Sequence, residues 1–168
     1  MRLLYLVSVW LHILAAGIWV GSLILVAVAL VPLIRHPEYR TIAPSILQWT
    51  GERVRWVAWA CFGVLILTGI FNLAYRGFGW ADIWNGRLWQ GPFGRALSHK
   101  LILVAVILSL SAWHDFIIGP RATHLWQDNP DAQEAKRLRR RAGWIGRINL
   151  VLTLAVIAFG IMLVRGWP

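Results

Sequence analysis

Hydrophobic positions gather into four long blocks, at about 3–34, 54–75, 96–118 and 144–164, separated by polar or glycine-rich connections. None alternates with the period of two that marks a half-buried strand, and each reaches the roughly 20 apolar residues that carry a helix across a bilayer. The pattern predicts an all-α, integral membrane four-helix bundle, with residues 1–168 forming one transmembrane domain. As a continuous helix the first block is about 48 Å long against a hydrocarbon core of about 30 Å. It is therefore expected to tilt and project from the membrane, or to bend near Pro32. Its length, and the lack of a short apolar core followed by a cleavage pattern, read as a retained helix rather than a secretory signal.

The connections differ in character. Residues 77–95 carry Gly77, Gly79, Gly86, Gly91, Pro92 and Gly94 among tryptophans, a composition that breaks regular structure and suits a cap across one mouth of the bundle. In 35–53, Thr41 or Ser45 is expected to cap a short helix leading into the second span. The polar segment 123–141 reads as the longest loop.

Composition sharpens this picture. With 58% hydrophobic residues, a mean hydropathy of +0.61 and only 14% charged residues, the ordinary soluble classes are excluded. A net charge of +10 suggests nucleic acid until the charges are mapped. Arg35, Arg40, Arg53 and Arg55 flank the first connection, and Arg121, Lys136, Arg137, Arg139, Arg140, Arg141 and Arg147 the third. Only Arg2, Arg76, Arg87, Arg95, Lys100 and Arg165 fall on the other side, which predicts both termini outside and the basic connections in the cytoplasm. The run 136–141 then reads as an anchor for anionic lipid, with no nucleic-acid role. Trp56, Trp59, Trp126 and Trp144 are expected at the inner interface, and Trp80, Trp84, Trp89 and Trp167 at the outer one. The single Cys61 offers neither a disulfide nor a multi-cysteine metal site and reads as packing.

Candidate chemistry rests on histidines, because an imidazole in hydrocarbon is costly unless something binds it. His12 shares a helical stripe with Ala16, Trp19 and Leu23, beside a Gly17/Gly21 pair that admits a second backbone or a flat cofactor. His99 and His114 fall on one face of the third helix, rotated by roughly 60° and about 22 Å apart along its axis. That spacing resembles the one by which a single helix of membrane cytochromes b serves two haems. A full two-haem set lacks partners, since the second and fourth blocks contain no histidine. The favoured arrangement is one b-type haem held by His12 and His99, with Trp19 as a wall and Lys100 contacting a propionate or an anionic substrate. His114, beside Asp115, is a second-site ligand with His36 or His124, or an interfacial imidazole; His12 has a hydrogen-bonded, purely structural alternative. An accessory subunit of a larger membrane complex is the remaining class. A catalytic role is uncertain, and no catalytic residue is assigned; an enzyme of this kind would be a haem-dependent membrane oxidoreductase.

Nearly the whole chain resembles the copper resistance protein D family, polytopic bacterial inner-membrane proteins. The segment WLHILAAGIWVGSLILVAVALVPL is similar to that family's pattern of His, Trp seven later, Gly and a late Pro; VLILTGIFNLA carries its Leu-Thr-Gly; GPFGRALSHKLILVAVILSLSAWHDFIIGP matches its aromatic-Gly-Arg, Lys and long apolar run. His12, Trp19, Gly21, Thr68, Gly69, Gly94, Arg95 and Lys100 are the specific positions. The resemblance implies copper handling or import across the bacterial inner membrane. A weaker similarity, through His12, Lys100 and His114, is to HemJ-type protoporphyrinogen oxidases, though Pro32 comes too late for that family's Pro-Arg spacing. Haem and copper are therefore both expected cofactor classes. Expected partners are the lipid bilayer, a quinol or redox protein, and a second copy or a larger complex.

Overall fold

A computed structural model describes residues 1–39, 41–129 and 132–165. Four helices are long and apolar enough to cross a membrane: α1, Arg2–Leu33; α2, Ala43–Tyr75; α3, Gly91–Asp128; and α4, Gln133–Arg165. α2, α3 and α4 outlast their apolar blocks, because a block records the bilayer's thickness whereas hydrogen bonding and packing set where a helix stops.

Two of the spans contain a wide helical turn. α1 passes through a π-helical turn at Val26–Leu30 and α3 through one at His114–Ile118. Pro32 and Pro120 follow at the same distance in each. A proline lacks an N–H and its ring clashes with the carbonyl four residues back, so a widened turn lets the helix continue where a regular one would break. The expected bend near Pro32 is thus met by a π turn.

Connections on the Pro32 side are more regular than their polarity suggests. α2 starts at Ala43 with Pro44 in its first turn and Ile42 as cap residue, and neither Thr41 nor Ser45 caps it. Most of 123–141, expected as a loop, is helical: α3 runs to Asp128 and α4 begins at Gln133. These projecting ends hold one another. Ile34, Ala43 and Trp126 form a small buried cluster, Ala135 is fully buried, and the Arg139 guanidinium lies 3.4 Å from the Trp126 ring centroid. Trp126 is therefore interior, unlike the exposed Trp56 and Trp144. Arg40 and Trp167 lie outside the described residues.

At the opposite end, 77–95 forms two short turns, Trp80–Trp84 and Arg87–Trp89, with Gly77, Gly86 and Gly91 at positive φ. Asp82, buried, accepts a hydrogen bond from Gly79 N–H and pairs with Arg87 at 3.3 Å, which fixes the connection. Trp80 and Trp84 remain exposed, as interfacial anchors do.

The helices pair as two hairpins. α1 packs closely on α2 and α3 on α4, whereas α2 and α3 have little backbone contact and α1 meets α4 more sparsely. A core of Ala15, Trp19, Cys61, Phe62 and Ile107, with Leu152 and Val156 against it, joins the hairpins at mid-span. The GxxxG face of α1 has no neighbour: a side chain added at Gly17 or Gly21 meets nothing within 4 Å. The expected close approach at this pair is absent among the described residues.

Candidate functional site

His12 is half-buried in the N-terminal half of α1, on the face turned towards α2. The Thr68 hydroxyl donates to the Val64 carbonyl at 2.6 Å, one turn back on its own helix. It therefore accepts from the His12 Nδ1–H, 2.7 Å away. This fixes the tautomer and leaves Nε2 with a lone pair. Gly69 lies against the imidazole, with 3.8 Å between Cε1 and the place a Cβ would occupy.

Lys100 comes from the other hairpin. Its ammonium rests against α4, 4.0 Å from where a Cβ would sit on Gly160. The side chain is half-buried. Each hairpin thus holds one titratable side chain against a glycine of its returning helix, an imidazole in the first and an ammonium in the second.

His99 is not brought to His12. It is one residue, hence about 100°, around the helix from Lys100, bonds the Arg95 carbonyl through Nδ1 at 2.7 Å, and stacks on Phe159 with centroids 5.5 Å apart. Trp19 is buried, edge-on to Phe62 at 4.9 Å, as a member of the core.

His114 and Asp115 form a separate site at the far end, in the π turn of α3. The carboxylate bridges two elements, accepting from His114 Nδ1 at 2.9 Å and from the Trp59 indole at 3.1 Å. Trp59 is therefore tied inward rather than lying free at the interface. Arg55, 5.7 Å from the Phe116 ring centroid, has a buried Nε with no hydrogen-bond partner among the described residues. His36 pairs with Glu38 and His124 with Asp128, both exposed, and neither is bonded to His114. No group of three or more His, Cys, Asp or Glu capable of holding a metal occurs among the described residues.

Sequence reasoning passed over several polar partners: Thr68 as acceptor for His12, Asp115 as bridge to Trp59, and Ser111, whose hydroxyl accepts from the Asn149 amide at 2.9 Å across α3 and α4. Their common signal is a hydroxyl, amide or carboxylate inside an apolar run.

Three comparisons bear on this arrangement. A family model described as Copper resistance protein D matches residues 50–163. A protein of Aquifex aeolicus (strain VF5), described as "Uncharacterized protein", is 26% identical over 159 residues, 94% of each chain. No solved structure matches.

Proposed function

The chain belongs to the copper resistance protein D family of multi-pass inner-membrane proteins, and from that premise we propose that it binds a b-type haem through His12 and serves electron transfer within the membrane. One observation carries this reading: an imidazole inside a span whose Nδ1–H is held by Thr68 and whose Nε2 is left as a ligand, with the Lys100 ammonium half-buried on the neighbouring hairpin. Metal-ligating histidines characteristically donate their second N–H to such a partner. A nearby cation opposes a bare metal ion and favours an acidic group, such as a propionate. Haem held here supplies a one-electron iron couple.

In this reading Thr68 orients the ring, Gly69 and Gly160 leave room for His12 and Lys100, and the sparse contact between hairpins accommodates a flat ligand. His99 supplies a second axial imidazole only by leaving Phe159 and turning towards the seam. A quinol or a redox protein is the electron partner by class, and both termini lie on the outer side, as the distribution of arginine and lysine favours.

A second reading, copper as cargo, is favoured by the family's name and by the His114–Asp115 pair, where a carboxylate adjoins the imidazole and suits a cation. Soft donors that Cu(I) prefers are few: Met1, Met162 and the core-buried Cys61.

A reduced-minus-oxidised spectrum of the purified protein, with metal analysis of the same sample, tests both. A stoichiometric b-type signal lost in His12→Ala is expected, with His99→Ala turning a low-spin spectrum high-spin if the pair is axial. Bound copper without haem would replace the first reading by the second, and neither ligand would leave an accessory subunit.

A further inference from the structure

α1 and α2 run antiparallel in a register marked at two levels. Tyr5 stacks on Tyr75 with ring centroids 4.2 Å apart and an interplanar angle of 12°. Deeper, His12 bonds Thr68. Between these levels, one turn outward from His12 and from Thr68 respectively, Ser8 and Asn72 come opposite each other.

Ser8 is 8% exposed, yet its hydroxyl has no hydrogen-bond partner among the described residues; the buried Oδ1 of Asn72 has none either. Each has a ready remedy that it does not take. A helical serine ordinarily donates to the carbonyl four residues back, as Ser22, Ser98 and Ser109 do here. The Asn72 side-chain carbonyl lies level with the Ser8 hydroxyl, a donor that is not bonded to it. Two unpaired buried polar groups at one depth of an apolar span cost roughly 1–3 kcal/mol each unless a small polar species joins them. A hydroxyl donor facing an amide acceptor suits water, which accepts from one and donates to the other.

We infer that the α1–α2 seam holds ordered water between Ser8 and Asn72, forming a hydrated path from the aqueous phase beyond the Tyr5–Tyr75 stack to the His12–Thr68 hydrogen bond. Polar groups are tolerated at membrane depth where they line a wet cavity, and here they follow one seam at single-turn intervals. The path ends at His12: the next level inward is the apolar core of Ala15, Trp19 and Cys61. Water thus reaches the Nδ1 side of the imidazole while Nε2 remains for a ligand. The inference goes beyond the proposed function and holds whichever group Nε2 binds.

The test is nuclear magnetic resonance of the full chain in lipid nanodiscs, with ¹⁵N-labelled His and Trp, in the reduced state, where low-spin ferrous haem and Cu(I) are both diamagnetic. Magnetisation transfer from water to the His12 Nδ1–H is expected, with none to the buried Trp19 indole N–H. In Ser8→Ala/Asn72→Leu the His12 exchange rate should fall at least about tenfold while Trp19 is unchanged. If that double variant does not fold, Ser8→Ala alone should slow exchange in the same direction. Absence of transfer to His12 in the unmodified protein overturns the inference. So does an exchange rate unaffected by the substitutions, or equal transfer to Trp19, which would mean general opening of the bundle. Loss of the haem or copper reading leaves each of these outcomes as it stands.

Discussion

The Thr68 hydroxyl has one proton, and the Val64 carbonyl takes it, so towards His12 it can only accept. Thr68→Val conserves shape and removes that acceptor, leaving the imidazole free to turn or to change tautomer. Affinity for the ligand of His12 should drop about 10–100-fold, as when an outer partner of a metal-bound histidine is lost, and Thr68→Ser should restore most of it; titration of the cofactor-free protein measures both. Gly94 makes a different demand. A Cβ there would run into the Trp89 backbone and stand 2.8 Å from the Leu88 carbonyl oxygen, because the turn Arg87–Trp89 folds directly under the start of α3. Overpacking against backbone cannot relax by a rotamer change, so Gly94→Ala should destabilise by about 1–3 kcal/mol or more, read as a lowered thermal midpoint in detergent. Gly17→Ala, with open space around it, should leave that midpoint unchanged. His12 and Lys100 were legible in the sequence because a titratable side chain inside an apolar run stands out against its neighbours. Thr68 and Asn72 were not legible as partners of His12 and Ser8 on α1, since the antiparallel register that brings them opposite is set by packing between helices.

For whole helices, hydropathy located the middles and misjudged the ends. The apolar run of α4 begins near Trp144, yet the helix starts at Gln133, because the preceding turn packs Ala135 inward and carries Arg139 over Trp126. Burial every third or fourth residue sustains a helix even when most of its positions are charged. One face is thereby committed to protein contact, and Arg137, Arg140 and Arg141 are left exposed next to Trp144. Held on a rigid helix at the edge of the bilayer, these cations should favour anionic headgroups by about 1 kcal/mol each. Arg137→Gln/Arg140→Gln/Arg141→Gln should therefore reduce the preference for anionic over zwitterionic lipid by roughly two orders of magnitude, about 3 kcal/mol; native mass spectrometry of lipid adducts reads it. An unchanged preference would mean that this face meets protein instead.

Across the whole molecule the two hairpins repeat one plan that the amino-acid sequence conceals. The first helix of each carries a polar residue in its N-terminal half, then a π turn, then a proline: His12 and Pro32 in α1, Lys100 and Pro120 in α3, separated by the same interval. The returning helix of each offers a glycine to that polar residue, Gly69 to His12 and Gly160 to Lys100. The duplicate positions hold an imidazole in one half and an ammonium in the other. Within a hairpin the helices pack along their length, whereas the two hairpins meet in fewer places: the Trp126 cluster, the Asp115–Trp59 hydrogen bond and, nearest His12, the core around Ile107. Each hairpin should then move as a unit about that core. Spin labels at Leu14 and Leu67, or at Ile102 and Ile157, all exposed positions, should give narrow distance distributions within a hairpin. The pair Leu67 and Ile102 should give a broader one that sharpens when the ligand of His12 is bound, since a group held between the halves removes their relative freedom. Equally narrow distributions before and after binding would mean a rigid four-helix unit, and the cofactor would then have to lie against one hairpin rather than between the two.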